Sequence, residues 1–403
     1  MKKKLLPALI VTGLIILVVI IMGITALINK YTPTKKTEDL KEYFNISSDD
    51  EAALIVDNEL SDYKAKIIDK KIYVDYKFVH DSLNSRFYWD ANENVLLYTT
   101  ASDIISAAAD SNSYSVTKQT NDFGYPIVKA TSDSALIALD YVKQYSNITF
   151  KSYDDPARIV ITSKWDEIDS ATVSKSTQVR VKGGIKSPIL KEVKKDDKIT
   201  ILDSGDKWDK VATEDGVIGY IKSKALSESK KTKLTNPDYE EETFTHIKKD
   251  KDICLAWNQV TSQSANSKVP QVISSTKGIN VMSPTWFYLN DNNGNLADIA
   301  SKDYVSYCHS QGIEVWGLFS NFENTDVDAA YVLTHTSTRT TLINQIMSAA
   351  FNYELDGVNI DFENITEAAY GDSYIEFIRE LAIKCHNNGI SLSVDVTVPA
   401  SFN

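Results

Sequence analysis

Asp356-Gly357-Val358-Asn359-Ile360-Asp361-Phe362-Glu363 is the stretch on which the fold of this chain turns. Side chains alternate faces along a strand, so Asn359, Asp361 and Glu363 share one face. Val358, Ile360 and Phe362 share the other and suit packing under helices. A buried face carrying Asn, Asp and Glu in succession is costly unless a polar network or chemistry needs it. Asp356 has the opposite parity and needs a bulge or turn at Gly357 to join the other three.

Around this stretch, from about Ile247 to Asn403, apolar strand-like runs alternate with helical ones. That rhythm predicts a parallel α/β arrangement. Strands are expected at Ile253–Val260, Gly278–Leu289, Ile313–Asn321, Leu355–Asn364 and Ile390–Pro399. Helices are expected near Leu296–Gln311, Thr338–Tyr353 and Thr366–Asn388, with Gly312 and Gly389 as C-terminal caps. This order is that of the first five strands of a (β/α)8 TIM barrel. A closed barrel needs eight strands and about 250 residues, and segment 247-403 offers roughly 155. The expectation is therefore a partial barrel belonging to a longer chain.

The spacing of Asp356, Asn359, Asp361 and Glu363 resembles the D-x-x-D-x-D-x-E signature of glycoside hydrolase family 18. That family holds chitinases, chitinase-like lectins and bacterial cell-wall lytic enzymes. With Asn359 where chitinases carry Asp, the run looks closest to the spore-cortex and cell-wall lytic branch. The resemblance implies that Glu363 is the general acid that protonates the glycosidic oxygen. It implies that the substrate's own N-acetyl oxygen attacks the anomeric carbon, with retention. Asp361 would orient the N-acetyl group, and Asn359 and Asp356 would support the site. No metal and no cofactor are implied. A substrate-binding Tyr after a sixth strand and a Trp at an eighth would lie beyond the residues given.

Residues i and i+2 on one strand face lie roughly 6.5–7 Å apart. Asp361 is thus near enough to keep Glu363 protonated by like-charge repulsion. Asn359 is expected to donate to Asp361 and favour its ionised form. Asp356 is expected to orient Asn359 or steady the loop. Trp257, Trp286, Tyr288 and Trp316 are candidate substrate-binding rings for stacking on sugars, although core packing uses such rings too. Asn321 and Glu323 are placed to line the cleft, without an assigned role.

The N-terminal half is organised differently. Leu5 to Ile28 is a run of about 24 residues without a charge, long enough to span a bilayer. Lys2, Lys3 and Lys4 precede it. Segment 1-28 is expected to be a cytoplasmic stub and an uncleaved transmembrane anchor, with the N-terminus inside and the rest extracellular. Segment 29-49, with Thr32-Pro33-Thr34-Lys35-Lys36, is expected to be a spacer. Segment 50-165 holds a repeat with a period of 63 residues, in which Lys71 to Thr100 aligns on Ser134 to Ser163. Each copy predicts strand, short helix, strand, turn, strand. The first copy resembles the small α+β domain named for the copper amine oxidase N-terminus. No His or Cys cluster accompanies it, so no copper is implied.

Segment 172-228, with Lys207-Trp208-Asp209-Lys210-Val211 and Gly219-Tyr220-Ile221, resembles a bacterial SH3-like β-barrel. Segment 229-246 is expected to be a second linker. The net charge is −12, which argues against nucleic acid as a partner. Cys254, Cys308 and Cys385 match no zinc spacing and predict buried thiols. Neither a nucleophile elbow nor a Gly-rich phosphate loop is present. The combined expectation is a multidomain, membrane-anchored glycosidase cleaving β-1,4-linked N-acetylglucosamine glycans, with peptidoglycan favoured over chitin. The alternative is a non-catalytic glycan- or cell-wall-binding protein.

Overall fold

The computed structural model describes residues 2–365 and 368–396. By contacts the chain forms two compact units, Met1–Tyr73 with Tyr145–Tyr239 and Val74–Gln144 with Glu240–Asn403.

The first unit begins with the helix Lys2–Tyr31. Its stretch Leu9–Tyr31 contains an 18-residue window of mean hydropathy 2.9 and is exposed, so it is long and apolar enough to cross a membrane. A signal sequence near the N-terminus passes the same test of length and composition. Segment 29-49 departs from the expected free spacer. Asp39 caps the short helix Leu40–Tyr43, accepting from the Lys41 N–H. Phe44 then lies fully buried beside Val173, Val179, Val211 and Ile221. A phenyl ring with an apolar pocket in reach gains about 1.5–3 kcal/mol by entering it, which holds the segment down.

The segment 172-228 belongs to a seven-stranded antiparallel sheet. Its order is Ile189–Val193, Thr177–Arg180, Ile218–Lys222, Trp208–Thr213, Lys198–Asp203, Glu167–Thr172 and Lys230–Lys233. The last strand lies inside the expected linker 229-246. It pairs with Glu167–Ser170, and all four of its residues are exposed. A Lys-Lys-Thr-Lys edge looks like a linker by composition, yet lysines are what an exposed edge strand carries against further pairing.

Both copies of the repeat show the expected element order. The first runs Lys71–Asp75, Tyr76–Leu83, Phe87–Asp90, Val95–Thr99, and the second Ala135–Ala138, Leu139–Gln144, Thr149–Tyr153, Arg158–Thr162. In the first unit the second copy's last two strands form a hairpin beside Glu51–Val56, with Ala53 opposite Arg158. In the second unit the first copy's hairpin opens a five-stranded antiparallel sheet that continues through Ile104–Ala108, Ser113–Val116 and Gln119–Asp122.

The second unit also holds a parallel sheet of β1 (Leu255–Asn258), β2 (Val281–Leu289), β3 (Glu314–Ser320), β4 (Gly357–Asp361) and β5 (Ser391–Val394), in chain order. The helices α1 (Lys302–Ser310), α2 (Thr336–Tyr353) and α3 (Ala368–Asn387) follow β2, β3 and β4. This is the order of strands and helices with which a (β/α)8 barrel begins. Val358 and Ile360 are fully buried in the core between sheet and helices, with Phe319, Leu342, Ile346, Phe377 and Leu381. The expected helix Leu296–Gln311 is shorter. Leu296–Asp298 instead returns as a strand on β2. The Asp291 carboxylate accepts from the Asn293 and Asn295 N–H groups, and Gly294 takes φ +85°, so the chain turns back before α1 starts. Ser301 caps α1. The expected helix start at Thr366 and strand end at Pro399 lie outside the described residues.

The five-stranded sheet rests on α2 and α3 through polar groups. Asp90 accepts from the Thr336 N–H and hydroxyl, both at 2.6 Å, and Tyr88 shares a 2.8 Å hydrogen bond with Ser373. The wholly buried Arg339 pairs with Glu380 at 2.8 Å and lies 5.0 Å from the Tyr88 ring centroid.

Candidate active site

The inner face of the sheet follows from the register. Leu318 lies opposite Asn359 and Ser320 opposite Asp361, while Tyr288 lies opposite Ser320. Ile360 pairs with Val394, and the Asp395 N–H continues the ladder to the Ile360 carbonyl at 2.8 Å. Tyr288, Ser320, Asp361 and Asp395 are therefore level with one another at the C-terminal ends of four adjacent strands. In parallel sheets of this kind, side chains at that end are free to meet a ligand.

Asn359 is buried, with 1% of its surface exposed. Its Nδ2 donates to Asp395 Oδ2 at 2.7 Å, and its Oδ1 accepts from the Ser393 hydroxyl. This corrects the expected Asn359–Asp361 contact, because a carboxylate on the adjacent strand takes the amide first. Asp361 consequently lacks that donor. Burial pushes its pKa up, and Asp395, Glu363 and Glu323 push it further. Asp361 is thus biased toward its protonated form, the reverse of the expectation for it.

Glu363 lies two residues beyond the end of β4, exposed. Its backbone is gripped at both polar atoms by one side chain. The Glu363 N–H donates to Asn321 Oδ1 at 2.8 Å, and Asn321 Nδ2 donates to the Glu363 carbonyl at 3.0 Å. Asn364, which follows, takes φ +62°, so the chain turns sharply there. Ser320 donates to Glu323 at 2.5 Å, holding a further carboxylate at the same end.

Asp356 does not join this group. It stands before β4, where it accepts from the Val315 N–H and pairs with His309, both at 2.8 Å. The sheet needs no bulge at Gly357. That glycine serves a close approach instead, since a Cβ there would come within 2.7 Å of the Trp316 ring. Asp356 therefore ties β3 and α1 to the start of β4, rather than orienting Asn359.

The four candidate rings divide. Trp257 is 63% exposed and paired in register with Ser283 of the neighbouring strand. Tyr288 is half-buried beside Ser320. Trp286 is fully buried, donates from its indole N–H to Asn266 at 2.8 Å, and meets Tyr304 edge-on. A bulge between Thr285 and Phe287 breaks the alternation that would put Trp286 beside Tyr288. Trp316 is buried near the start of β3, its N–H on Glu314. It lies roughly 13 Å along the strand from Ser320. A cavity of about 440 Å³ beside it, lined in part by Phe244, Ile253, His386 and Leu392, shares that end and not the carboxylate end.

Sequence reasoning passed over Asp395 and gave Asn321 and Glu323 no role. The alternation Ser391, Ser393, Asp395 on one face of β5 was the available signal for the first. Among the described residues no group of His, Cys, Asp or Glu is arranged to hold a metal. Cys308 and Cys385 are buried thiols, both pushed up to about 12 by burial, whereas Cys254 is exposed.

No protein-family description and no curated protein matches the chain. Solved structures with a similar course include a chitinase from Chromobacterium violaceum, at 19% identity over 36% of this chain and 45% of that one, TM-score 0.30. The spore cortex-lytic enzyme SleL of Bacillus cereus matches at 17% identity over 41% and 39%, TM-score 0.31. SleL of Bacillus megaterium matches at 17% over 40% and 39%, TM-score 0.30. The chain spans less than half the length of each.

Proposed function

We propose that this chain carries the strand-end carboxylates of a family 18-like glycoside hydrolase acting on N-acetylglucosamine polymers. The observation that supports the reading is the arrangement of Asp361 and Glu363. One is half-buried and biased toward its acid form, and the other is exposed at the strand end on a rigid amide clamp. A general acid must reach the leaving oxygen, and Glu363 has that access. Asp361, set back by two residues, is suited to hold the substrate's N-acetyl group while its carbonyl oxygen attacks the anomeric carbon. As an acid it donates a hydrogen bond, and as a carboxylate it accepts one from the acetamido N–H. The exposed ring of Trp257 and the half-buried Tyr288 are the candidate sugar contacts. Trp286 and Trp316 are left to packing.

In this reading the N-terminal helix anchors the protein, segment 172-228 is an SH3-like module, and both hold the hydrolase near its polymer. Peptidoglycan is preferred over chitin because Asn359 stands where chitinases carry Asp. The test incubates the whole protein, as its gene encodes it, with purified peptidoglycan and separately with chitin oligomers. Released reducing ends are identified by mass spectrometry. Muropeptides ending in N-acetylglucosamine are the expected products. Release from chitin alone reverses the substrate preference, and no release from either polymer overturns the reading.

A further inference from the structure

The carboxylate that faces Asp361 across the sheet comes from β5 and has no counterpart in the motif on β4. We propose that Asp395 is a positioning residue of this site, fixing the Asn359 amide and supplying the second inward-facing carboxylate beside Asp361; the inference rests on the glycosidase reading above. Three observations carry it. The ladder sets Asp395 level with Asp361 on the neighbouring strand, where partners are about 4.8 Å apart between Cα atoms. Asn359, buried two residues before Asp361 on β4, is held at both ends of its amide by Ser393 and Asp395, with Asp395 accepting and Ser393 donating. The amide thus gives one of its two N–H groups to Asp395, and among the described residues it makes no hydrogen bond to Asp361.

The arrangement assigns a charge as well as a position. An inward Asp on β4 would have put two carboxylates on one strand. Here the amide sits on β4 and the charge on β5, so the pair spans two strands. The titratable groups facing Asp361 are Asp395 from β5, Glu363 from β4, Glu323 from the loop after β3 and Tyr374 from α3. After burial, Asp395 is the largest of the influences that raise the Asp361 pKa. The Tyr374 phenol is itself pushed up to about 12, by burial first and then by Asp395 and Asp361. None of these facing groups is a cation. Asp395 thereby adds to the upward push on the Asp361 pKa from the neighbouring strand.

Two measurements test this, one independent of hydrolysis. The Asp361 carboxyl is titrated by carbon NMR with selectively labelled aspartate, its signal identified by loss in Asp361→Asn. In Asp395→Asn the Asp361 midpoint is expected to move down toward the ordinary aspartate range. An unmoved midpoint overturns the inference, whether or not the protein proves to be a glycosidase. The second measurement is a charge swap followed by pH–rate profiles. Asp395→Asn is expected to lower kcat more than tenfold with KM held within about threefold, and to shift the acid limb of the profile. Asn359→Asp alone should also lose activity. The double variant Asn359→Asp/Asp395→Asn should recover at least tenfold over either single one. Equal losses in all three, with thermal unfolding unchanged, would make Asp395 replaceable only as itself and overturn the positioning role. If the wild-type protein releases no reducing ends, the hydrolase reading fails on its own, and the titration alone decides this one.

Discussion

Asn321 grips Glu363 by its backbone, and in the proposed function this leaves the carboxylate to reach a leaving oxygen. Its two hydrogen bonds replace the ladder bonds that end with β4. Asn321→Ala should therefore lower kcat by about 10- to 100-fold, because a misplacement of about 1 Å costs that much in a proton transfer. Protein stability should change little, since the residue is only partly buried. Initial rates compared with urea unfolding check both halves of the statement, and a rate loss that tracks instability would refute it. At this scale the sequence was legible in part. The parity of Asn359, Asp361 and Glu363 could be read from two-residue alternation alone. The partner of the Asn359 amide could not, because it depends on which strand lies next to β4 and in what register.

At the scale of elements, the alternation of strand and helix was plain because apolar runs and helix caps repeat through the segment. What alternation hides is the local break. The bulge in β2 sends Trp286 to the helices and Tyr288 to the inner face, although the two stand two residues apart. Asp356 shows the complementary error, in which a motif position was assigned to the site while its side chain serves the other end of the sheet. Gly357 is the point where two strands and a ring crowd. A Cβ there would meet the Trp316 ring at 2.7 Å and the Ser391 carbonyl at 2.9 Å. Gly357→Ala should destabilise the protein by about 1–3 kcal/mol, as overpacking does. Denaturant unfolding monitored by tryptophan fluorescence measures this. A stability equal to the wild type would mean that β3 and β4 are less closely apposed than described. The exposed strand Lys230–Lys233 was illegible for a different reason, since its composition is that of a linker and only pairing makes it a strand.

On the scale of the whole molecule, the five-stranded sheet and the parallel sheet's helices are joined by buried charges. Glu376 and Glu380 lie on α3, nearly without exposure, Glu380 paired with Arg339 and Glu376 with Arg379. Burial raises the pKa of both glutamates, and for Glu376 the neighbouring Glu380 adds to the rise. One oxygen of Glu376 has no hydrogen-bond partner among the described residues. A carboxyl held above its unfolded pKa keeps its proton in the folded state while the unfolded chain has lost it. Stability should then fall as pH rises above the ordinary glutamate range, until the folded group also ionises. Glu376→Gln should flatten that slope and raise the unfolding temperature at pH 8 relative to the wild type. Thermal unfolding from pH 5 to pH 8 tests it, and a steeper slope in the variant would contradict it. The repeat in the sequence gave no sign of this junction. The two copies share an element order, but the first carries Tyr88, Asp90 and Glu93, each of which bonds a residue far along the chain on the helices of the parallel sheet.

The proposed role of Glu363 as the acid of a glycosidic cleavage is reached directly by one comparison. Wild-type protein and Glu363→Gln are incubated with the same peptidoglycan, and both the release of reducing ends and the retention of protein on the polymer are measured. Release is expected to fall by at least a hundredfold in the variant while retention is unchanged. Equal release from both proteins would contradict it and move the chemistry away from the end of β4.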